Sequence, residues 1–331
     1  MAQPTGMNAA MLDAADAPFR IAQVARPTPK AGEVLVRVKA SGVNPLDLKI
    51  RAGRAAHAQQ TLPSTLGIDM AGTIEAVGPD VRAFGIGDDV FGMTGGVGGV
   101  QGTLAEFAAV DARLIAHKPA KLSHREAAAL PLIFITAWEG LVDRAQVKAG
   151  QRVLVQGAGG VGHIVVQLAR AFDATAFAVD SATKREFLTA LGATAIDYRA
   201  MNVEQYVAKF TEGRGFDIVY DTIGGETLDA SFQAVRRFGH VVSALGWGTH
   251  ALAPLSFRAA SYSGVFTLLP LLTGEGHEHH GEILAQAAQL VDAGNIMPRI
   301  DPRRFTLQTV EEAYRAMDAG GTSGKIVVEI G

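Results

Sequence analysis

The chain has no cysteine, and that absence excludes more than any other feature of its composition. Disulfide frameworks, iron–sulfur clusters, thiol nucleophiles and zinc sites that need a thiolate are all out of reach. A surplus of either charge is also missing. The 30 Lys and Arg stand against 33 Asp and Glu, a net charge of −3, so no basic field favours nucleic acid as a partner. No apolar run reaches the roughly 18 residues that a bilayer span requires. The longest, Ala127 to Trp138 and Val265 to Leu272, fall short, and no membrane partner is expected. The opening Met1-Ala2-Gln3-Pro4-Thr5 lacks the charged and then apolar pattern of a secretory signal, which makes a cytoplasmic protein the default. Glycine, by contrast, is abundant at 38 of 331 residues. It has no collagen-like period, so it implies many tight turns and close backbone approaches.

At this length two domains with full cores are expected. Up to about residue 124 the pattern is short β-segments between turn signals. Glu33 to Ala40 alternates polar with apolar and puts Val34, Val36 and Val38 on one side; Ala71 to Gly78 and Leu104 to Val110 read similarly. Over residues 125–264 strands alternate with helices: Arg152 to Val155, Thr175 to Val179, Ala193 to Ile196, Asp217 to Tyr220 and His240 to Leu245 as strands, with helices at Lys184 to Leu191, Val203 to Phe210 and Thr227 to Arg236. Successive β-α units of this length predict an α/β fold with a doubly wound parallel sheet of Rossmann type. The remaining 265–331, with helical segments at Ile283 to Ala293 and Val310 to Met317 and a strand at Lys325 to Ile330, are too few for a third large domain. They are expected to return to the β-rich N-terminal part.

The strand Arg152 to Val155 runs into Gly157-Ala158-Gly159-Gly160-Val161-Gly162, followed by an apolar face at Val161, Ile164, Val165, Leu168 and Phe172. A G-x-G-x-x-G alone is weak, but between a strand and an amphipathic helix it is a dinucleotide fingerprint. Gly157 permits the tight turn, Gly159 lets backbone approach a pyrophosphate, and Gly162 lets helix pack on strand. The second strand ends at Asp180, 23 residues after Gly157, where a carboxylate can accept from ribose hydroxyls and favour NAD(H). Ser181 and Lys184 follow at once and are equally suited to a 2′-phosphate, so NADP(H) and NAD(H) both stay open.

Val43-Asn44-Pro45-Leu46-Asp47, Gly67-Ile68-Asp69-Met70-Ala71-Gly72, Gly85-Ile86-Gly87-Asp88-Asp89-Val90, Gly157 to Gly162 and Ser323-Gly324-Lys325-Ile326-Val327 together resemble the medium-chain dehydrogenases/reductases, and within them the zinc-independent quinone oxidoreductases of zeta-crystallin type. The resemblance runs over nearly the whole chain. It implies a GroES-like β-rich catalytic domain made from both ends of the chain around the central Rossmann domain, and a homodimer. The zinc-dependent alcohol dehydrogenases of the superfamily carry Cys where this chain has Asn44, and Gly-His-Glu where it has Gly67-Ile68-Asp69. No zinc is therefore expected. The activity implied is hydride transfer from NAD(P)H to a small quinone or α,β-unsaturated carbonyl. An enoyl reductase for a larger acyl substrate, and a non-catalytic nucleotide-binding protein of crystallin type, are the alternatives.

Without a metal, hydrogen-bond donors must hold the charge that develops on the substrate oxygen. Asn44 and Lys49 are the candidates, with Asp47 orienting Asn44 or capping its turn. The resemblance places Thr136 at the nicotinamide end of the cofactor. Thr222 and Ala244-Leu245-Gly246, at the carboxyl ends of the fourth and fifth strands, are expected at the same cofactor; the resemblance puts Tyr198 and Arg199 near the adenosine, and Lys325 of the C-terminal motif is a further cofactor candidate. The tract Gly276-His277-Glu278-His279-His280 reads as a solvated loop rather than a metal site.

Overall fold

The structure is a computed structural model that describes residues 6–331. The chain divides into two compact units, one made of the residues up to Leu132 together with Leu268–Gly331, the other of Ile133–Thr267.

The second unit is built on six strands: β1 (Arg152–Gln156), β2 (Thr175–Asp180), β3 (Thr194–Asp197), β4 (Phe216–Asp221), β5 (Val235–Ser243) and β6 (Ser261–Gly264). They pair in parallel in the order β3-β2-β1-β4-β5-β6. The direction of winding reverses between β1 and β4, the switch point of a Rossmann sheet. Leu154, Phe177, Val179, Ile196, Phe216, Val219 and Val241 fill the core beneath the helices with Leu228 and Phe232. The helix Gly160–Ala171 buries Ile164, Val165 and Leu168, the face read from the sequence.

Three expectations are corrected in this unit. The helix expected to reach Arg236 stops at Ala234, and β5 starts at Val235, which enters the parallel ladder opposite Phe216, and ends at Ser243; Arg236 pairs with Asp217 at 2.6 Å. Ala244, Leu245 and Gly246 thus lie beyond the strand. The edge strand β6 has no counterpart among the expected elements; Ser261-Tyr262-Ser263-Gly264 has no apolar alternation to announce it.

The first unit is mostly antiparallel, with one parallel pair between Phe305–Thr306 and Val327–Glu329. Glu33–Gly42 pairs with Asp69–Val77, Phe107–Asp111 and the C-terminal Val327–Glu329, and Gly6–Leu12 pairs with Arg20–Ala25. Val34, Val36, Val38, Met70, Ile74 and Val90 form its core. The register Val327↔Gly42, with the Val43 N–H donating to the Ile326 carbonyl at 2.9 Å, brings the chain's end beside Asn44. The histidine tract is not a loop. Gly276 takes φ +84°, and a helix runs His277–Asp292 with His280 buried. It is held at its start by the His277 ring against Asp111 (3.0 Å) and the Pro270 carbonyl (2.9 Å). Among the described residues no helix is long and apolar enough to cross a membrane.

Candidate active site

Each unit builds a polar site of its own. In the Ile133–Thr267 unit, β1 leads into Gly157, whose φ of +82° is left-handed backbone that glycine adopts without strain. A Cβ on Gly162 would lie 1.9 Å from the Gly157 carbonyl oxygen, so only glycine lets the helix approach the turn this closely. Nothing lies within 4 Å of a Cβ built on Gly159. That space adjoins a helix start at Gly160 and Val161 that has no side-chain cap, which fits the pyrophosphate of a dinucleotide. Thr222 braces the turn, its hydroxyl reaching the Gln156 and Gly157 carbonyls at 2.9 Å each. Asp221, buried, accepts from the Ser243 hydroxyl at 2.7 Å and from the Gly224 N–H, and Ala244 donates to its carbonyl at 3.1 Å. The ends of β4 and β5 are thereby tied together.

Asp180 closes β2. One of its oxygens accepts from the Ala158 N–H at 2.8 Å and the Lys184 ammonium at 2.9 Å, the other from the Ser181 N–H at 2.7 Å. Burial alone would raise this carboxyl. The Lys184 ammonium and the two backbone donors outweigh it and hold Asp180 below the ordinary carboxylate range. The acceptor expected for ribose hydroxyls thus already meets three protein donors, out of about four lone-pair sites on a carboxylate. A cavity of about 440 Å³ opens beside it, lined by Asp180, Tyr198, Asn202, Tyr206, Ile223 and Thr227. Tyr198 is exposed, with the Arg199 guanidinium 5.5 Å from its ring centre. Thr136, buried on the helix Pro131–Trp138, lies with its hydroxyl 3.1 Å from that of Thr267.

In the other unit the structure joins Asn44, Asp47 and Lys325 and adds Asp69. Asn44 starts the helix Pro45–Arg51, and its N–H donates to Asp47 at 2.8 Å. Its amide is used at both ends: the nitrogen donates to Asp69 at 3.0 Å, and the oxygen accepts from the Lys325 ammonium. Lys325 also meets Asp69 at 3.2 Å, and Asp69 accepts from the Leu132 N–H at 2.8 Å. Asn44, Asp47 and Asp69 are wholly buried, Lys325 nearly so. Lys49, by contrast, is exposed on the last turn of its helix and stands apart from this cluster. Asp69 is the residue that the sequence reading passed over. The signal was there: an acidic side chain between Ile68 and Met70 in a strand needs a buried partner.

Burial pushes the Asp47 carboxyl up to about 7. The Asn44 N–H opposes the shift, and the neighbouring Asp69 charge adds to it. Its second oxygen and the Tyr314 hydroxyl, also buried, have no hydrogen-bond partner among the described residues. A carboxyl raised in the folded state binds its proton more tightly there than in the unfolded chain. The stabilisation is full below the unfolded value near 4 and is lost as pH rises through 7. Asp47→Asn keeps the bond to Asn44 and removes the titration. The variant is expected to match the wild type at pH 4 and to exceed it at pH 8 by up to about 4 kcal/mol, at roughly 1.4 kcal/mol per pKa unit. Urea melts at the two pH values check this, and identical pH dependence would refute it.

A glycine-turned parallel sheet in this strand order, joined to a mostly antiparallel unit completed by the chain's own end, is an architecture suited to a dinucleotide-dependent enzyme. The comparisons agree. Residues 30–120 match a family described as "Alcohol dehydrogenase GroES-like domain" and residues 191–328 one described as "Zinc-binding dehydrogenase". The chain is 37% identical to a 2-methylene-furan-3-one reductase of Solanum lycopersicum, over 92% of this chain and 74% of that protein. It is 33% identical to the chloroplastic NADPH-dependent alkenal/one oxidoreductase of Arabidopsis thaliana, over 91% and 73%. A solved structure of an alcohol dehydrogenase superfamily protein from Novosphingobium aromaticivorans superposes with a TM-score of 0.96 at 57% identity, covering 98% of this chain and all of that one. The chain belongs to the medium-chain dehydrogenase/reductase superfamily, in its quinone oxidoreductase-like branch.

Proposed function

We propose that this chain is a zinc-independent NAD(P)H oxidoreductase that reduces α,β-unsaturated carbonyls or quinones. The observation that carries the reading is the Lys325 ammonium held against Asn44 and Asp69. A catalytic zinc needs three protein ligands, drawn from thiolate, imidazole and carboxylate, with an open position. Here the position of the thiolate is an amide and that of the imidazole is Ile68, while the third position, Asp69, is bonded to an ammonium. This donor set does not fit zinc, whatever the family description says.

The cofactor supplies hydride when bound. Reduction of an enone at its β-carbon, or of a quinone, leaves charge on an oxygen that N–H donors can hold without a Lewis acid. We assign that task to Lys325 and the second amide hydrogen of Asn44, with Asp69 orienting both. Gly157, Gly159, Gly160, Val161 and Gly162 take the pyrophosphate, and Thr136, Thr222, Ala244, Leu245 and Gly246 the nicotinamide end. The two alkenal and furanone reductases among the relatives support the enone as substrate class. The free edge of β6, with exposed Phe238, Trp247, Phe257 and Tyr262 in the same unit, is the surface we assign to a second copy of the chain.

NADPH is the cofactor we favour. Ser181, Lys184 and Arg199 set a hydroxyl and two cations beside the end of β2, and Lys184, paired with Asp180 at 2.9 Å, can turn to a 2′-phosphate. Lys184→Ala removes one cation and leaves Asp180 facing the phosphate. The KM for NADPH is expected to rise about 10- to 100-fold, as for a lost charge-assisted bond, with that for NADH changed under threefold. Equal effects on both would count against the assignment. The reading as a whole is tested by following NADPH absorbance with a simple enone and with a benzoquinone, before and after chelator treatment. Chelator-insensitive oxidation supports it; oxidation abolished by chelator and restored by zinc sinks it.

A further inference from the structure

His250 is held at both ring nitrogens, and both partners are acceptors. It lies in the segment 244–252, which leaves β5 and leads to the short helix Ala253–Ser256. Nδ1 stands 2.9 Å from an Asp229 carboxylate oxygen, and Nε2 stands 3.3 Å from the Trp247 carbonyl oxygen. A carboxylate and a carbonyl accept and do not donate, so both bonds are made only when both nitrogens carry hydrogen. The form of the ring that satisfies this geometry is the imidazolium.

One side of the tie is anchored in packed structure. Asp229 sits on the helix Glu226–Ala234, whose Leu228 and Phe232 are buried, and the His250 ring meets that of Phe232 edge to face at 6.2 Å between centres. The other side is open: residues 246–249 are exposed. Just before them come the residues assigned above to the nicotinamide end. The Ala244 N–H donates to the Asp221 carbonyl and the Leu245 N–H to the Ser243 hydroxyl, each at 3.1 Å. These bonds hold the start of the segment to the ends of β4 and β5, and His250 holds its far part to the helix.

We propose that His250 is a positioning residue for the nicotinamide end of the cofactor: as an imidazolium it fastens the segment after β5 to the helix Glu226–Ala234, and loss of its proton releases one of the two ties. The proposal rests on the assignment of Ala244, Leu245 and Gly246 to that end of the dinucleotide. The charged groups that face the ring are Asp229 on the helix and Asp221 at the end of β4, both acidic. The Asp229 bond first, and then the Trp247 carbonyl, make His250 hold its proton more tightly than an ordinary histidine does. The fastening is complete below that raised value and weakens as pH rises through it.

The probes are NADPH and adenosine 2′,5′-bisphosphate, which shares the adenosine and its 2′-phosphate but has no nicotinamide. Dissociation constants for both are measured by calorimetry on the intact protein from pH 6 to pH 9, and their ratio cancels titrations at the phosphate end. In the wild type the advantage of NADPH over the bisphosphate is expected to fall about fivefold across this range, the yield of one hydrogen bond. His250→Gln is neutral and should show the lowered advantage at every pH. Asp229→Asn keeps an oxygen acceptor but removes the negative charge, so the fall should persist with its midpoint moved to lower pH, which a merely structural contact would not do. Should His250→Gln fail to fold, the midpoint in Asp229→Asn still decides. A wild-type ratio that is flat with pH, a fall of the same size in His250→Gln, or an unmoved midpoint in Asp229→Asn each overturn the proposal and leave the dinucleotide reading standing. Failure of the wild type to bind NADPH at any pH overturns both.

Discussion

Lys325→Met is expected to destabilise the protein by about 3–5 kcal/mol, the cost of breaking one side of a buried ion pair. Asp69 is wholly buried and shares Lys325 with the Asn44 amide. Burial pushes its carboxyl up, and the ammonium is the largest influence opposing that shift. Methionine fills the volume but supplies no charge, so the carboxylate must either stay ionised without compensation or take up a proton. Either course makes the loss greater at high pH than at low. Adding Asp69→Asn to Lys325→Met removes the stranded charge and should recover more than half of the lost stability. That non-additivity distinguishes an ion pair from simple packing. Urea unfolding of the two single variants and the double variant measures it; a single-variant loss under about 1 kcal/mol would show that the pair is held only weakly.

Gly162→Ala is the second large effect. Its Cβ would lie 1.9 Å from the Gly157 carbonyl oxygen. The neighbour is backbone, so the turn or the helix start has to move. A loss of about 1–3 kcal/mol in stability follows, together with at least a tenfold loss of dinucleotide affinity, since the displaced atoms belong to the proposed phosphate cradle. Gly159→Ala makes the informative contrast. Nothing in the protein lies within 4 Å of that Cβ, so stability should change by under about 0.5 kcal/mol. Affinity should fall nonetheless, because the methyl fills the space assigned to the pyrophosphate. Thermal melts with and without NADPH separate the two behaviours. An unchanged affinity in Gly159→Ala would place the phosphate elsewhere.

Much of the fold was legible because its signals are local. Alternation in Glu33 to Ala40, β-branched runs before turns, and glycines at fixed offsets after β1 each specify structure within a few residues. What stayed hidden depends on distant partners. Lys325 meets Asn44 across 281 positions only through the antiparallel register of the last strand, and a terminal Gly-Lys-Ile carries no local sign of it. The occupancy of both Asp180 oxygens follows from where the Ala158 N–H points once the turn has formed. The first turn Gly276 to His280 looked like a solvated loop because charge and histidine dominate it. Its helix is set by Asp111 and by close packing at Gly281, where a Cβ would lie 2.5 Å from the Arg113 carbonyl. The π-helical turn Glu139–Arg144 is equally silent, since Glu-Gly-Leu-Val-Asp-Arg suits an ordinary helix as well.

The central claim is hydride delivery to a conjugated carbonyl without a metal, and one labelling experiment tests it most directly. The protein, dialysed against chelator, is given NADPH deuterated at nicotinamide C4, one diastereomer at a time, with a simple enone. The product is then examined by mass spectrometry and NMR. A saturated ketone with one deuterium on the β-carbon, from one of the two diastereomers, is the expected product. Deuterium on the carbonyl carbon of an allylic alcohol, formed only when zinc is returned, would contradict that claim.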